Sequence, residues 1–99
     1  MNVPVVKPQP IYLFADSQLL FWRDGGNLFL DSVRRLVTRD PPRAAYLGAS
    51  NGDAPEYYSI FEAAMAGVGV HNCRMILSSF PVEDQSFLKE ADVILLAGG

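Results

Sequence analysis

"AAYLGASNGDAPEYY" (residues 44–58) decides how the rest of the chain is read. Ala44 to Ala49 is an apolar run of strand length. It passes through a turn made of Gly48, Ser50, Asn51 and Gly52 into a stretch where Asp53, Pro55 and Glu56 mark the start of a helix. Asp53 followed three residues later by Glu56, with Pro55 in the first turn, is close to a capping box. Tyr57, Ile60, Phe61, Ala64 and Val68 then recur at helical spacing, and Gly67 and Gly69 end the helix. The segment is therefore a strand, a polar loop and a helix.

The same grammar extends in both directions. "CRMILS" (73–78) reads as a strand and "VEDQSFLKEA" (82–91) as a short helix turning Phe87 and Leu88 inward. "DVILLAGG" (92–99) is a strand that is apolar from Val93 to Ala97. Upstream, "IYLFA" (11–15) is another apolar run. The segment 16–27 mixes apolar and turn residues. "LFLDSVRRLVTR" (28–39) places Phe29, Val33, Leu36 and Val37 at helical spacing, with Asp31, Arg34 and Arg35 facing away, before "RDPPR" (39–43) stops it. Residues 1–10 form an extended, proline-rich arm, because Pro4, Pro8 and Pro10 fit neither a helix nor a central strand.

Strands that are apolar runs rather than alternating patterns belong in a parallel sheet covered on both faces. The expected fold is α/β, a three-layer α/β/α arrangement around a mostly parallel, Rossmann-like sheet. Residues 11–99 form the amino-terminal part of that single domain. A ligand site is expected at the carboxyl ends of the strands, near a switch in strand order. The chain stops just after a buried strand, so the domain reads as cut off after the fourth strand.

Bulk composition narrows the function classes. The chain has 99 residues, 49% of them hydrophobic and 19% charged, with a net charge of −3. Without a run of Lys or Arg there is no electrostatic footing for nucleic acid or for an anionic membrane surface. No stretch approaches the roughly 20 apolar residues that span a bilayer. Cys73 is the single cysteine, so no internal disulfide forms, and the expected compartment is the cytoplasm. No cofactor is implied.

Gly48-Ala49-Ser50-Asn51-Gly52 matches the Gly-x-Ser-x-Gly elbow that presents a nucleophilic serine between a strand and a helix. That chemistry needs the helix to start directly after the serine and a base beside it. Here Asn51 and Gly52 intervene, and the one histidine, His71, belongs to the turn at the amino end of the third strand. The alternative is that Ser50 and Asn51 bond the local backbone while Gly52 supplies a left-handed turn, leaving Ser50 to line a pocket. His71 and Cys73 are two candidate ligands without a second pair, which is short of a zinc site. Asp16 follows the first strand at the ligand edge, as a functional carboxylate or a turn cap. Phe21, Trp22, Tyr57 and Tyr58 line an aromatic pocket or serve packing. Gly98 and Gly99 end a strand where bare backbone N–H groups can face a ligand oxyanion.

Taken together, "AAYLGASNGDAPEYYSIFEAAMAGVGVHNCRMI" and "FLKEADVILLAGG" resemble the amino-terminal half of the dipeptidase E and cyanophycinase family of serine peptidases, which has the class I glutamine amidotransferase-like fold. The resemblance covers residues 43–99, matches 11–40 in outline only, and leaves 1–10 aside. It implies that Gly98 and Gly99 give backbone N–H groups to an oxyanion hole, that Ser50, Asn51 and Asp16 lie at the substrate rim, and that Ser50 is not the family's nucleophile. The family's nucleophile, in a later Gly-x-Ser-Ala-Gly, and its histidine have no counterpart in these residues. The resemblance thus implies peptide or amide hydrolysis of a small peptide through a serine acyl-enzyme, with this chain inactive alone. The expected partner is a missing carboxy-terminal half, or another chain, on the exposed final strand. The rival expectation is a non-enzymatic α/β module that binds a small molecule or a partner chain through that sheet edge.

Overall fold

The computed structural model describes residues 20–97. The arm at 1–10, the strand expected at 11–15, Asp16, and the pair Gly98-Gly99 lie outside the described residues. In chain order the elements are β1 (Arg23–Asp24), β2 (Asn27–Leu28), α1 (Leu30–Arg34), β3 (Arg43–Leu47), α2 (Pro55–Ala66), β4 (Asn72–Ile76), α3 (Val82–Lys89) and β5 (Val93–Leu96). The described residues form a small α/β domain whose larger sheet is three-stranded and parallel, in the order β4-β3-β5.

β3 is the central strand, and its sequence suits that place. Ala44 and Ala45 have no exposed surface and Tyr46 has 2%, so the strand is covered on both faces as well as paired on both edges. Register sets which side chains share a face, because successive residues of a strand point to opposite sides. Ala44 pairs with Cys73 and Val93, and Tyr46 with Met75 and Leu95. All of these join the main core with Phe61, Ala64 and Met65 of α2. The centre of that core is aromatic: the Tyr46 ring lies 5.3 Å from Phe61 and 5.6 Å from Tyr58, the latter edge-on. Such pairs contribute about 0.5–1.5 kcal/mol each beyond the area they bury.

The buried stripe of α2 is Tyr58, Phe61, Ala64 and Met65, one step round the helix from the expected one. Tyr57 and Ile60, expected inward, are exposed. The ring of Tyr46 sets this rotation by engaging both Tyr58 and Phe61. The helix closes as the glycines predict. Val70 N–H donates to Met65 O and Gly69 N–H to Ala66 O, with Gly69 at φ +78°. This is a Schellman turn, which needs a left-handed residue at that position.

Two upstream elements differ from expectation. The helix expected within 28–39 is only five residues long, and Leu36 is 51% exposed. Leu36 and Val37 donate to Val33 and Arg34, three residues back, so the chain tightens into turns. The β-branched Val37 and Thr38 and the Pro41-Pro42 pair disfavour a longer helix. Within 16–27, Arg23–Asp24 and Asn27–Leu28 form a small antiparallel hairpin. Gly25 and Gly26, at φ +58° and +89°, supply the two left-handed residues of its turn.

On the opposite side of the sheet from Tyr46, α3 is fastened by a charge. Asp84 is 1% exposed. Its Oδ1 accepts from Arg74 Nε at 2.7 Å and its Oδ2 from Leu77 N–H at 2.8 Å, tying α3 to the end of β4. Burial works against the charged form, but the Leu77 N–H and the Arg74 guanidinium outweigh it and hold the carboxyl below its usual 3.8. α3 covers β4, while Ile94 and Leu96 of β5, on the same face of the sheet, are 51% and 74% exposed. Among the described residues, no helix is long and apolar enough to cross a membrane.

Asp84→Ala leaves the Leu77 N–H without its acceptor and is expected to cost about 1–3 kcal/mol, which calorimetry or urea unfolding would register as a lower midpoint. Because the folded-state pKa is lowered, the Asp84 contribution is complete above the unfolded carboxyl's pKa and is lost as pH falls through that value to the folded one. Wild-type stability should therefore decline on acidification in that range, and Asp84→Asn should flatten the decline.

Candidate functional site

The carboxyl ends of three parallel strands define one edge of the sheet. The loop 48–54 leaves β3 there and the loop 77–81 leaves β4. Ala97 N–H donates to Leu47 O at 3.0 Å, so the end of β5 lies beside the end of β3.

Each residue of the first loop has a physical assignment. Gly48 is buried, and a Cβ built on it would come within 2.7 Å of Tyr46 Cε1 and 3.2 Å of Asn51 Oδ1. Only glycine fits. Residues Ala49–Asn51 make one turn of 3-10 helix, and Gly52 ends it at φ +72°. The two glycines of the Gly-x-Ser-x-Gly match are thus accounted for by a close ring contact and a left-handed turn. Four residues separate Ser50 from Pro55, so no helix begins beneath the serine. Ser50 is exposed. His71 immediately precedes β4, at the other end of the sheet, since Asn72 pairs with Arg43 at the start of β3. Five residues of strand at about 3.3 Å each hold the imidazole and Ser50 roughly 15 Å apart along the strand direction.

Asn51 and Asp53 do more. Asn51 Nδ2 donates to the Tyr46 hydroxyl at 3.1 Å, linking the rim to the aromatic core. Asp53 does not cap α2. It stands at φ +56°, Ala54 takes the cap position in extended conformation, and no side-chain cap bond forms there. Pro55 occupies the first turn as its fixed φ allows, and Glu56 places its charge near the positive helix end. The Asp53 carboxylate instead crosses to the neighbouring loop. Its Oδ2 accepts from Ser78 N–H at 3.1 Å and from Ser78 Oγ at 2.7 Å. The geometry that breaks the capping box therefore joins the two loops of the edge. Asn51 Oδ1 and Asp53 Oδ1 are both buried with no hydrogen-bond donor.

Neither side chain with candidate thiol or phenol chemistry is activated. Burial, then the charge of Glu62, pushes the Cys73 thiol up, so it stays protonated at neutral pH. Burial and then Glu62 likewise push Tyr58 up to about 12. Cys73 is half-buried against Val70 O, and His71 is exposed. The four aromatics considered for a pocket do not act as a set. Tyr58 packs in the core, while Phe21, Trp22 and Tyr57 are each about half exposed. The Asp53–Ser78 link escaped the sequence reading, because nothing in linear spacing announces a contact between loops that follow different strands; the Asn51–Tyr46 bond, five residues apart, replaces the backbone partner expected for Asn51.

No protein family, curated protein or solved structure matches this chain.

Gly48→Ala forces the Tyr46 ring to move and is expected to destabilise the fold by about 1–3 kcal/mol, whereas Ser50→Ala should stay within about 0.5 kcal/mol of wild type. Denaturant midpoints of the two variants side by side check the pair.

Proposed function

We propose that this chain is the amino-terminal portion of a serine-peptidase-like hydrolase of the dipeptidase E and cyanophycinase type, in a cytoplasmic, three-layer α/β/α fold. The observation that carries this reading is the strand order. The chain runs from β3 to β4 on one side, then passes back beyond β3 to β5 on the other. Open parallel sheets hold ligands at such a reversal, outside the carboxyl ends of the strands. The two faces of the sheet also support it: α2 packs on the side of Tyr46, while α3 reaches Arg74 on the other.

On this reading Gly98 and Gly99, which follow β5, turn backbone N–H groups toward the oxyanion of a small peptide substrate. Such donors stabilise charge that develops only in the transition state. Ser50, Asn51 and Asp16 form the rim. The serine nucleophile and the histidine base come from polypeptide beyond these residues, either the remainder of the domain or another chain, which covers Ile94 and Leu96. Those same exposed side chains favour a second reading, a non-enzymatic module whose sheet edge binds a small molecule or a partner chain.

Two measurements test the proposal. The purified chain should neither hydrolyse ester or peptide substrates nor react at Ser50 with a fluorophosphonate, and labelling of Ser50 would defeat the assignment of the rim. The reading frame downstream of Gly99 should encode a Gly-x-Ser-Ala-Gly. A stop codon there, together with a chain that folds by itself, would favour the binding module.

A further inference from the structure

Asn51 is the one asparagine of the sequence followed by glycine. We propose that the Asn51-Gly52 peptide is a site of spontaneous backbone-assisted deamidation in the folded chain, which would introduce a carboxylate into the loop that links β3 to α2. The inference does not depend on the hydrolase reading.

The chemistry needs three things of the loop. The first is an unobstructed nucleophile. Gly52 carries no Cβ, and the position a Cβ would take has nothing within 4 Å, so neither a side chain on residue 52 nor a neighbour on that side crowds the attacking residue. The second is a nitrogen that is weakly held. Gly52 N–H makes a 3.2 Å bond to Ala49 O that closes a single turn of 3-10 helix, a geometry poorer than an α-helical bond. The third is an amide whose carbonyl oxygen no hydrogen bond holds. Asn51 Oδ1 accepts no hydrogen bond, and the amide's one hydrogen bond runs from Nδ2 to the Tyr46 hydroxyl at 3.1 Å. The burial of Oδ1 is no obstacle, because the attacking nitrogen belongs to the next residue and needs no path from solvent.

The step balances without any oxidant or reductant. Gly52 N bonds to Asn51 Cγ and gives up its proton, and the Cγ–Nδ2 bond breaks to release ammonia. The Tyr46 hydroxyl is the group beside the departing nitrogen and can relay the proton. Water then opens the cyclic imide at either carbonyl, giving aspartate or isoaspartate. Either product puts a negative charge two residues from Asp53, and isoaspartate also lengthens the backbone by one methylene. Both changes load the loop that Asp53 anchors to Ser78.

The test compares the native 99-residue chain with the same chain unfolded in urea, both held at physiological temperature and neutral pH. Peptide mapping by mass spectrometry follows the amide-to-acid mass gain at residue 51, and chromatography separates the two isomeric products. The native chain is expected to convert at Asn51 within about tenfold of the unfolded rate, a barrier difference of no more than about 1.4 kcal/mol. Gly52→Ala should slow the conversion and Asn51→Gln should abolish it. A native chain that converts more than tenfold slower than the unfolded one, or that loses ammonia only at other residues, overturns the proposal.

Discussion

Burial of β3 on every side is the constraint from which the rest of the structure follows. A strand paired on both edges leaves no backbone donor or acceptor for solvent, and one covered on both faces needs side chains that fit between layers. Ala44 and Ala45 meet that demand with no exposed surface at all. Tyr46 fills the adjoining space with one large ring, which then dictates the orientation of α2 through Tyr58 and Phe61. The same ring approaches so closely that Gly48 has no room for a methyl group. The central strand thus reaches past its own end to determine the shape of the loop that follows.

That loop shows how one sequence pattern can satisfy two unrelated demands. A Gly-x-Ser-x-Gly is the mark of a strained elbow when the helix follows at once, because the helix end then lies beneath the reacting serine. Here the interval is filled by a 3-10 turn and two left-handed residues, Gly52 and Asp53. Asp53 tolerates that conformation because its carboxylate gains two donors from Ser78 in return. The exchange removes a helix cap and creates a bridge between two loops at the edge of the sheet.

The two sides of the sheet are held by different physics. The Tyr46 side is an apolar and aromatic core. The other side relies on a buried carboxylate whose charge is sustained by one backbone N–H and one guanidinium. Arg74 remains 45% exposed, so water screens part of that pair, and the Leu77 N–H adds a second, part-buried bond to the same carboxylate. Further along, Ile94 and Leu96 present apolar surface that stays exposed while α3 packs on β4. That uneven cover is why the exposed face of β5 enters both functional readings.

The sequence by itself determined the alternation of strands and helices from β3 to β5, the parallel character of the sheet they form, the starts of α2 and α3, and the stop at Gly69. Each of these rests on local chemistry: runs of apolar residues, a proline in the first turn, a glycine free to adopt positive φ. It also separated Ser50 from a base, since His71 falls at the opposite end of a neighbouring strand. Tertiary structure alone decided which face of α2 is buried and that Asp53 serves a neighbouring loop rather than its own helix. It alone decided that Asp84 is an interior charge. Those outcomes turn on partners distant in sequence, the Tyr46 ring, Ser78 and Arg74, whose proximity exists only once the strands have paired.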